Sequence, residues 1–466
     1  MANLISGVLN VAKTALNTQQ KALDITATNI ANVNTDGYSR QRITMEQNEP
    51  VRYPGGTFGT GVRANPTIQR MYDRFLAAQI TAAASQQGRW EAQREVLEKV
   101  ELMVDEVSGY GLNAAMADFW NAWQDLANQP SGYAERATLL ANAQNLTRVF
   151  NQLSSNLNQV RADSDTSITA TLGDINRLTA RIAELNLNIA SLEANGQHSA
   201  NTFRDQRDLA LKSLSSLIEV NSFEDAHGYL TITTATGHSL VDRSRSWDLA
   251  AAANADGLQD VFWQNGSGAP HNITADIAGG KLKGWLEARD TIVPDYLARL
   301  DDVAVALASA VNSQHGDGID LTAAAGLDFF SSATAAGTLA VNQTIVNDIN
   351  RIAAAASTEN IPGGNGNAIA MAQIPNQLLM GAGSATIDGF YNALVGDLGR
   401  SVSQAQANTA HQSMVSLQLA TYREEVSGVS LDEEMVNMIQ FQSAYSAAAK
   451  LVSTVDEMLR TLIDTV

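Results

Sequence analysis

Several side chains in this sequence could do acid–base chemistry, but their positions have simpler structural explanations. Adjacent carboxylates occur at Asp301-Asp302 and at residues 432–434. The first pair lies in a helical pattern with a solvated face. The second opens a predicted helix, where the helix dipole favours negative charge. Neither cluster predicts a catalytic acid–base pair.

The histidines are scattered and the chain contains no cysteine. No two histidines follow the HExxH or i, i+4 spacing of a helical zinc site. The six are His198, His227, His238, His271, His315 and His411. Without cysteine, thiol catalysis, thiolate metal sites and disulfides are excluded. We therefore expect no catalytic residues, no metal site and no cofactor.

Two segments resemble catalytic motifs only superficially. Residues 56–61 read GTFGTG, but they lack the flanking strand and helix of a dinucleotide-binding unit and the Lys-Ser or Lys-Thr of a phosphate loop. Ser239 follows His238 without the second glycine of a nucleophile elbow. A loop and a turn explain both segments, and the sequence predicts a protein that is not an enzyme.

Length and charge limit the possible partners. The chain has 466 residues, a length that indicates about three domains. Its formal net charge is −19. This charge disfavours nucleic acid and anionic membranes as partners. The longest apolar run, near residues 303–311, is under half a membrane span, so no membrane insertion is expected. The first ten residues lack the basic start of a secretory signal peptide.

Apolar residues repeat every seven positions at both ends of the chain, which is typical of a coiled-coil seam. The N-terminal series is Leu9, Leu16, Leu23 and Ile30. The C-terminal series is Leu431, Met438, Tyr445, Val452, Leu459 and Val466, with Phe441, Ala448, Val455 and Leu462 three positions after four of them. The two helices can pair, parallel or antiparallel, if the chain brings its ends together. The backbone entropy lost on ordering about 65 residues outweighs the free energy gained by burying the apolar side chains of such a pair. Both ends should therefore need neighbours from this chain or from other subunits.

The fold class predicted is mainly α with a small β-rich insert, built from long antiparallel helices and terminal coiled-coil segments. Helical patterns cover residues 3–32, 68–218, 282–311, 388–426 and the C-terminal repeat. Between them we expect an extended segment at 38–45, a loop at 50–66, a strand at 339–342 and a loop at 359–367. The expected units are a terminal coiled coil (1–33 and 428–466), a long-helix domain (34–220 and 281–427) and a β-rich domain (221–280).

The last helix has a marked start. Ser430 followed by Glu433 forms a predicted capping box, in which the serine hydroxyl accepts an unpaired N–H and the glutamate reaches back.

Two terminal segments resemble the signatures of the flagellar axial proteins, the family of rod, hook and junction subunits. Residues 29–41 read NIANVNTDGYSRQ, and residues 428–445 read GVSLDEEMVNMIQFQSAY. The internal segments DQRD at 205–208 and DFF at 328–330 are most similar to the hook-filament junction members. The resemblance covers both ends and scattered internal blocks.

This resemblance implies a structural adaptor that joins hook to filament outside the cell. The implied partners are flagellar hook protein, the second hook-filament junction protein and further copies of the chain in a ring. It also implies export in unfolded form by the flagellar type III apparatus, with a chaperone on the C-terminal region. The ends would be disordered in the monomer and fold on assembly.

The resemblance also assigns residues to roles. The turn between the inner layer and the outer domain would contain Asn29, Asn32, Asn34, Gly37 and Tyr38. Gly37 suits a positive φ. The assembly interface would contain Leu9, Leu16, Leu23, Ile30, Met438, Phe441, Tyr445, Val452, Val455, Leu459 and Leu462. The resemblance also implies that longer members insert an outer domain where this chain has few residues, between Phe330 and Leu339.

Two alternatives remain. Another axial subunit, such as hook or distal rod protein, is disfavoured because helical patterns fill residues 68–218. A cell-wall hydrolase would need a carboxylate or histidine cluster in the β-rich segment, and the sequence pattern identifies none.

Overall fold

The computed structural model describes residues 2–464, apart from 54–55, 59–60, 105–110, 195–198, 265, 267 and 332–333. The helices are α1 (Ala2–Ala31), α2 (Arg74–Val104), α3 (Leu112–Asn128), α4 (Tyr133–Glu193), α5 (Asn201–Leu217), α6 (Gly280–Glu287), α7 (Val293–Gly316), α8 (Gln343–Asn347), α9 (Gly366–Gln373), α10 (Ile387–Ser427) and α11 (Leu431–Asp464). The strands are β1 (Gln41–Gln47), β2 (Val51–Tyr53), β3 (Gly56–Phe58), β4 (Val62–Arg70), β5 (Val220–Glu224), β6 (Leu230–Thr234), β7 (Ser239–Asp242), β8 (Arg245–Ser246), β9 (Leu249–Ala253), β10 (Gln259–Trp263) and β11 (His271–Asn272). The predicted fold class, mainly α with small antiparallel sheets, is confirmed.

The longest element is α4, which has 61 residues and therefore extends about 90 Å. Its buried residues recur at three- and four-residue steps, so one apolar stripe follows the helix and packs against α3, α5, α6 and α7. At one end of this core, Phe119 packs 5.9 Å from Phe329, which packs 5.1 Å from Phe330 (ring centroids). The DFF segment is thus part of the core.

Two asparagines on α4 attach the β-rich segment to the helix. Asn176 donates to the Leu249 carbonyl and accepts from the Leu249 N–H, both at 2.8 Å. Asn186 makes the same pair of bonds with Leu230, at 2.8 and 3.0 Å. Each side-chain amide therefore takes the place of a neighbouring strand. The sheets, ordered β5-β6-β7-β8 and β11-β10-β9, are held against the helix by polar contacts as well as by apolar packing.

A buried arginine strengthens this attachment. Arg289 lies in the π-helical turn Ala288–Ile292 between α6 and α7. Its guanidinium donates to Asp165 Oδ1 at 2.7 Å and to the Gln259 carbonyl at 2.5 Å. Asp165 also accepts the Gln259 N–H at 2.9 Å, so helix, turn and strand β10 share one hydrogen-bond network.

The structure corrects the predicted loop at 50–66, which contains strands. Strand β4 pairs antiparallel with β1, from Gln41 opposite Arg70 to Gln47 opposite Val62. Because this pairing carries the extended backbone to Arg70, α2 begins at Arg74 and not near Ile68.

The strand predicted at 339–342 is also wrong, since only an isolated bridge joins Phe330 to Val341. The side chain of Asn151 donates to the carbonyls of Ala336 and Leu339, at 2.9 and 3.0 Å. These carbonyls are satisfied by a helix side chain, which replaces a sheet neighbour.

One buried histidine makes the helical core sensitive to acid. His315 Nδ1 lies 2.5 Å from the Leu327 carbonyl, and Nε2 accepts the Ala353 N–H at 2.9 Å. The neutral ring with its proton on Nδ1 satisfies both partners. Burial lowers the pKa of His315 to about 4, against the opposing effects of the Leu327 carbonyl and Asp320.

We predict that the free energy of unfolding falls as the pH drops from 6.5 to 4. In this window the unfolded chain binds a proton at His315 that the folded chain excludes, and the full loss is about 3 kcal/mol. His315→Gln should remove this component while keeping an acceptor for Ala353. Urea unfolding at several pH values measures it, with exposed His227→Gln as control. An unchanged pH dependence in His315→Gln would contradict the assignment.

Candidate functional site

The two terminal helices pack against each other, and α1 also packs against the β1–β4 hairpin. The end of α1 meets the start of α11, where Asn29 contacts Glu434, so the two helices run antiparallel. Phe441 and Ile68 pack on a small cluster formed by Ala22, Ile25 and Ile43. This cluster joins the helix pair to the hairpin.

The predicted ladder residues differ in burial within the single chain. Val455 is buried, and Leu16, Leu23, Ile30, Met438, Phe441, Val452 and Leu459 are half-buried. Leu9 and Tyr445 are 36% and 39% exposed. The side chain of Leu462 and residue Val466 lie outside the described part of the chain. On α1, Ala12, Ala22 and Ile25 are more buried than the leucines. The two alanines have small side chains, which let neighbouring helices approach closely.

A fully buried asparagine connects the two ends of the chain. Asn29 Oδ1 accepts from the Tyr38 hydroxyl at 2.8 Å and from the Gln41 N–H at 3.0 Å. Its Nδ2 donates to the Gln41 carbonyl at 2.9 Å and to Glu434 Oε2 at 3.2 Å. The amide thus makes all four of the bonds available to it. We call Asn29, Tyr38, Arg40, Glu434 and Asp205 the terminal junction.

Arg40 supplies the positive charge of the junction. Its Nε donates to Glu434 Oε1 at 2.8 Å and its Nη1 to Glu433 Oε2 at 2.6 Å. The Arg40 backbone N–H also donates to the Ser427 carbonyl at 2.8 Å. Chain segments almost 400 positions apart are therefore joined by charge-assisted bonds, of which the one to the buried Glu434 is shielded from solvent.

The predicted capping box forms only in part. Ser430 Oγ accepts the Glu433 N–H at a long 3.5 Å. The Glu433 carboxylate binds Arg40, because a guanidinium offers a stronger, charged donor than a helix-start N–H.

The junction is also bonded to the helical body through α5. Asp205 Oδ2 accepts the Ser39 N–H at 3.2 Å, and Oδ1 accepts from Arg70 at 2.9 Å. Arg70 also lies 2.7 Å from Asp208. The first and last residues of the DQRD segment thus hold the hairpin and the start of β1.

The turn residues occupy the surface of this junction. Gly37 has a φ of +79°, in the left-handed region predicted for it. Arg423 from α10 donates to the carbonyls of Gly37 and Tyr38 at 2.8 and 3.1 Å. Asn32 accepts from the Thr35 hydroxyl at 3.1 Å, and Asn34 is exposed.

The electrostatics keep Tyr38 neutral. Burial, together with the negative charges of Asp205 and Glu434, raises the pKa of Tyr38 to about 12. Burial lowers the pKa of Arg70, but Asp208 and Asp205 raise it overall. At neutral pH the tyrosine therefore donates and the arginine stays charged.

Sequence reasoning placed Asn29, Tyr38 and Gly37 in a turn, and it did not assign Arg40, Glu434, Asp205 or Arg70 to the site. Their partners are distant in sequence, so no local spacing indicates them. The only signal was that Arg40, Glu434 and Asp205 each lie inside a segment that resembles the flagellar axial proteins.

Models of known protein families match the helical body and both terminal segments. A family model described as "Flagellar hook-associated protein FlgK helical domain" matches residues 97–330, half of the chain. "Flagella basal body rod protein" matches residues 9–38, and "Flagellar basal body rod FlgEFG protein C-terminal" matches residues 422–465.

Full-length relatives are also similar. The chain is 29% identical to flagellar hook-associated protein 1 of Bacillus subtilis (98% of this chain, 97% of that protein). It is 26% identical to the Escherichia coli protein of the same name (99% and 100%). The flagellar hook junction protein FlgK from Burkholderia pseudomallei has the same fold, with a TM-score of 0.66 at 18% identity over 75% of this chain and all of that one.

The two rod-protein models match the terminal segments that meet at the terminal junction, and they assign the chain to the flagellar axial class. Within that class, the chain belongs to the flagellar hook-associated protein family named for the FlgK helical domain.

We predict that Arg40 and Glu434 are energetically coupled. Replacing either one by alanine leaves a shielded charge or acceptor incompletely paired, so a double-mutant cycle should give about 1–3 kcal/mol. Amide hydrogen exchange in α1 and α11 measures the free energy of local opening.

The exposed Arg460–Asp456 pair on α11, with nitrogen and oxygen 3.2 Å apart, is the matched control. Its coupling should not exceed about 0.5 kcal/mol. Equal coupling in the two cycles would show that the junction does not hold the ends together.

Proposed function

We propose that this chain is a structural adaptor of the bacterial flagellum that joins hook to filament. Membership of the hook-associated family supports the assignment to the flagellum, and one feature of the structure supports an assembly role. That feature is the apolar surface of α11 that α1 leaves uncovered.

The uncovered residues form one broad face along α11. Val436 and Ile439 are 65% and 62% exposed in the first half of the helix, and Leu451 and Met458 are exposed in the second half. At 100° per residue these four positions fall within an arc of about 120°. Exposed apolar patches of this kind mark interaction sites.

Neighbouring subunits are the occupants we propose for this surface. Copies of the chain would form a ring whose inner layer contains the terminal pairs. Hook protein would lie on one side of the ring and the second hook-filament junction protein on the other. Within the pair, the proposed interface includes the exposed Leu9 and Tyr445 together with the half-buried ladder residues.

The same surface motivates the proposals on export. Before assembly, an apolar C-terminal helix needs cover, and a chaperone on this region would supply it. Export in unfolded form through the flagellar type III apparatus fits a chain without cysteine, which cannot cross-link on the way. In this proposal the ends gain their final stability outside the cell, on assembly.

The units proposed from the sequence suit this role. Residues 1–33 and 428–466 would form the inner layer, residues 34–220 and 281–427 the outer helical body, and residues 221–280 a small β-rich domain. Asn32, Asn34, Gly37 and Tyr38 would form the turn between layers, and Asn29, near the end of α1 and not in the turn itself, would hold it through Tyr38 and Gln41. Among the described residues, no helix is long and apolar enough to cross a membrane.

We propose no enzymatic activity. In the terminal junction and directly beside it, the carboxylates of Asp205, Asp208, Glu433 and Glu434 each lie in an ion pair with Arg40 or Arg70, which gives them a structural role. A cell-wall hydrolase would clear peptidoglycan in a zymogram, and we expect no clearing. Hook or distal rod protein remains the alternative within the class.

The adaptor role predicts that Ile439→Lys abolishes attachment of filaments to hooks. The side chain is exposed in the single chain, so the purified variant should melt as the native protein does. Swimming and filament counts by electron microscopy measure the effect.

Leu102→Lys is the matched control, because Leu102 is exposed at the end of α2, far along the chain from the terminal pair. It should leave filament number unchanged. Normal filaments on cells that produce Ile439→Lys would contradict the proposed interface.

A further inference from the structure

The β-rich segment brings together three side chains that the assembly role does not use. His238, His271 and Asp276 each offer one ligand atom, and these atoms all lie within 4.8 Å of one another. His238 Nε2 and Asp276 Oδ2 are 3.7 Å apart. The histidine rings are separated by 5.2 Å between centroids.

We propose that these three residues bind one divalent transition-metal ion, and that this ion is zinc. Two imidazoles and one carboxylate form a donor set typical of zinc. Calcium and magnesium prefer oxygen ligands alone and do not suit it. The fourth position is taken by water.

The geometry needs only small movements to close around an ion. Tetrahedral zinc with bonds near 2.0–2.1 Å places its ligand atoms about 3.4 Å apart. The His238–Asp276 pair is already close to that value, and the other pairs need to approach by at most about 1.5 Å. His271 is exposed and its ring can rotate into place.

The backbone of each ligand is fixed by hydrogen bonds. The His238 N–H donates to Thr234 Oγ1 at 3.0 Å, which holds the β6–β7 turn. His271 pairs with Trp263 across the β10–β11 ladder. Asp276 ends a 3-10 turn in which its own N–H donates to the Ile273 carbonyl at 2.9 Å. A site on fixed backbone positions loses little freedom when it binds.

Trp263 lies next to two of the three ligands, His238 and His271. The Trp263 ring lies 5.1 Å from the His238 ring, and its Nε1 donates to the Ser239 carbonyl at 2.7 Å. His238 adjoins the sheet of β5–β8, whereas His271 belongs to the sheet of β9–β11. A bound ion would therefore cross-link the two sheets.

Isothermal titration of the full chain with zinc chloride, after chelator treatment, tests the proposal. We expect one ion per chain, and affinity at least tenfold weaker in each of His238→Ala, His271→Ala and Asp276→Asn. His271→Ala is the most informative variant, because an exposed side chain contributes little to folding.

His227→Ala is the matched control. His227 lies in the same segment and 4.0 Å from Asp225, but it is 83% exposed along its side chain and belongs to no cluster of three ligands among the described residues. The His227→Ala variant should bind zinc with the same affinity as the native chain. A zinc affinity that any one of the three ligand replacements leaves unchanged, or the absence of zinc binding by the native chain, overturns the proposal.

Hydrogen exchange gives a second readout. With zinc at ten times its Kd, local opening that breaks the site should slow about tenfold. The amides of β7 and β10 should report it, and His271→Ala should abolish it. Exchange that is unchanged by zinc in the native chain would show that no ion links the sheets.

Discussion

The buried amide of Asn29 is the contact on which the arrangement of the chain ends depends. It satisfies Tyr38, both backbone groups of Gln41 and the carboxylate of Glu434 at once. A buried polar group of this kind is stabilising only when every partner is present, since each missing bond leaves a desolvated donor or acceptor. The site therefore favours one register of α1 against α11 and one direction of the turn that follows.

The same junction connects the terminal pair to the body. Arg40 and Asp205 extend the network from the helix pair to α5, and Arg423 extends it to α10. A load on the terminal pair would pass through these bonds into the long helices. These polar contacts fix the orientation of the pair. Because the pair buries only part of its own apolar surface, we propose that neighbouring subunits supply the rest of its stability. This division suits the proposed role of a subunit that presents the same surface in every copy of an assembly.

The sequence predicted well what depends on local pattern. The first helix was expected at 3–32 and is found at Ala2–Ala31, and the helix expected at 388–426 is Ile387–Ser427. The predicted strand at 339–342 failed because Asn151, nearly 190 positions away, satisfies the carbonyls there. Strand β4 was missed because its partner β1 lies across a loop of unclear pattern.

The candidate sites show the same limit. Asn29 and Gly37 could be assigned from a motif, but Arg40 and Glu434 meet only after the chain has folded back on itself. His238 and His271 are 33 positions apart in sequence, and no helical spacing relates them. Two sheets and a shared tryptophan bring them together. Contacts of this type depend on tertiary topology, which a single sequence does not reveal.

The central claim is that the terminal helices acquire their full stability from neighbouring subunits. Amide hydrogen exchange of α1 and α11, compared between the dilute monomer and assembled hook-filament junctions, tests it most directly, with α4 as the internal reference. The account predicts that both ends are much less protected than α4 in the monomer and become strongly protected after assembly, while α4 stays equally protected in both. Terminal helices that are as protected as α4 in the monomer, with no change on assembly, would contradict it.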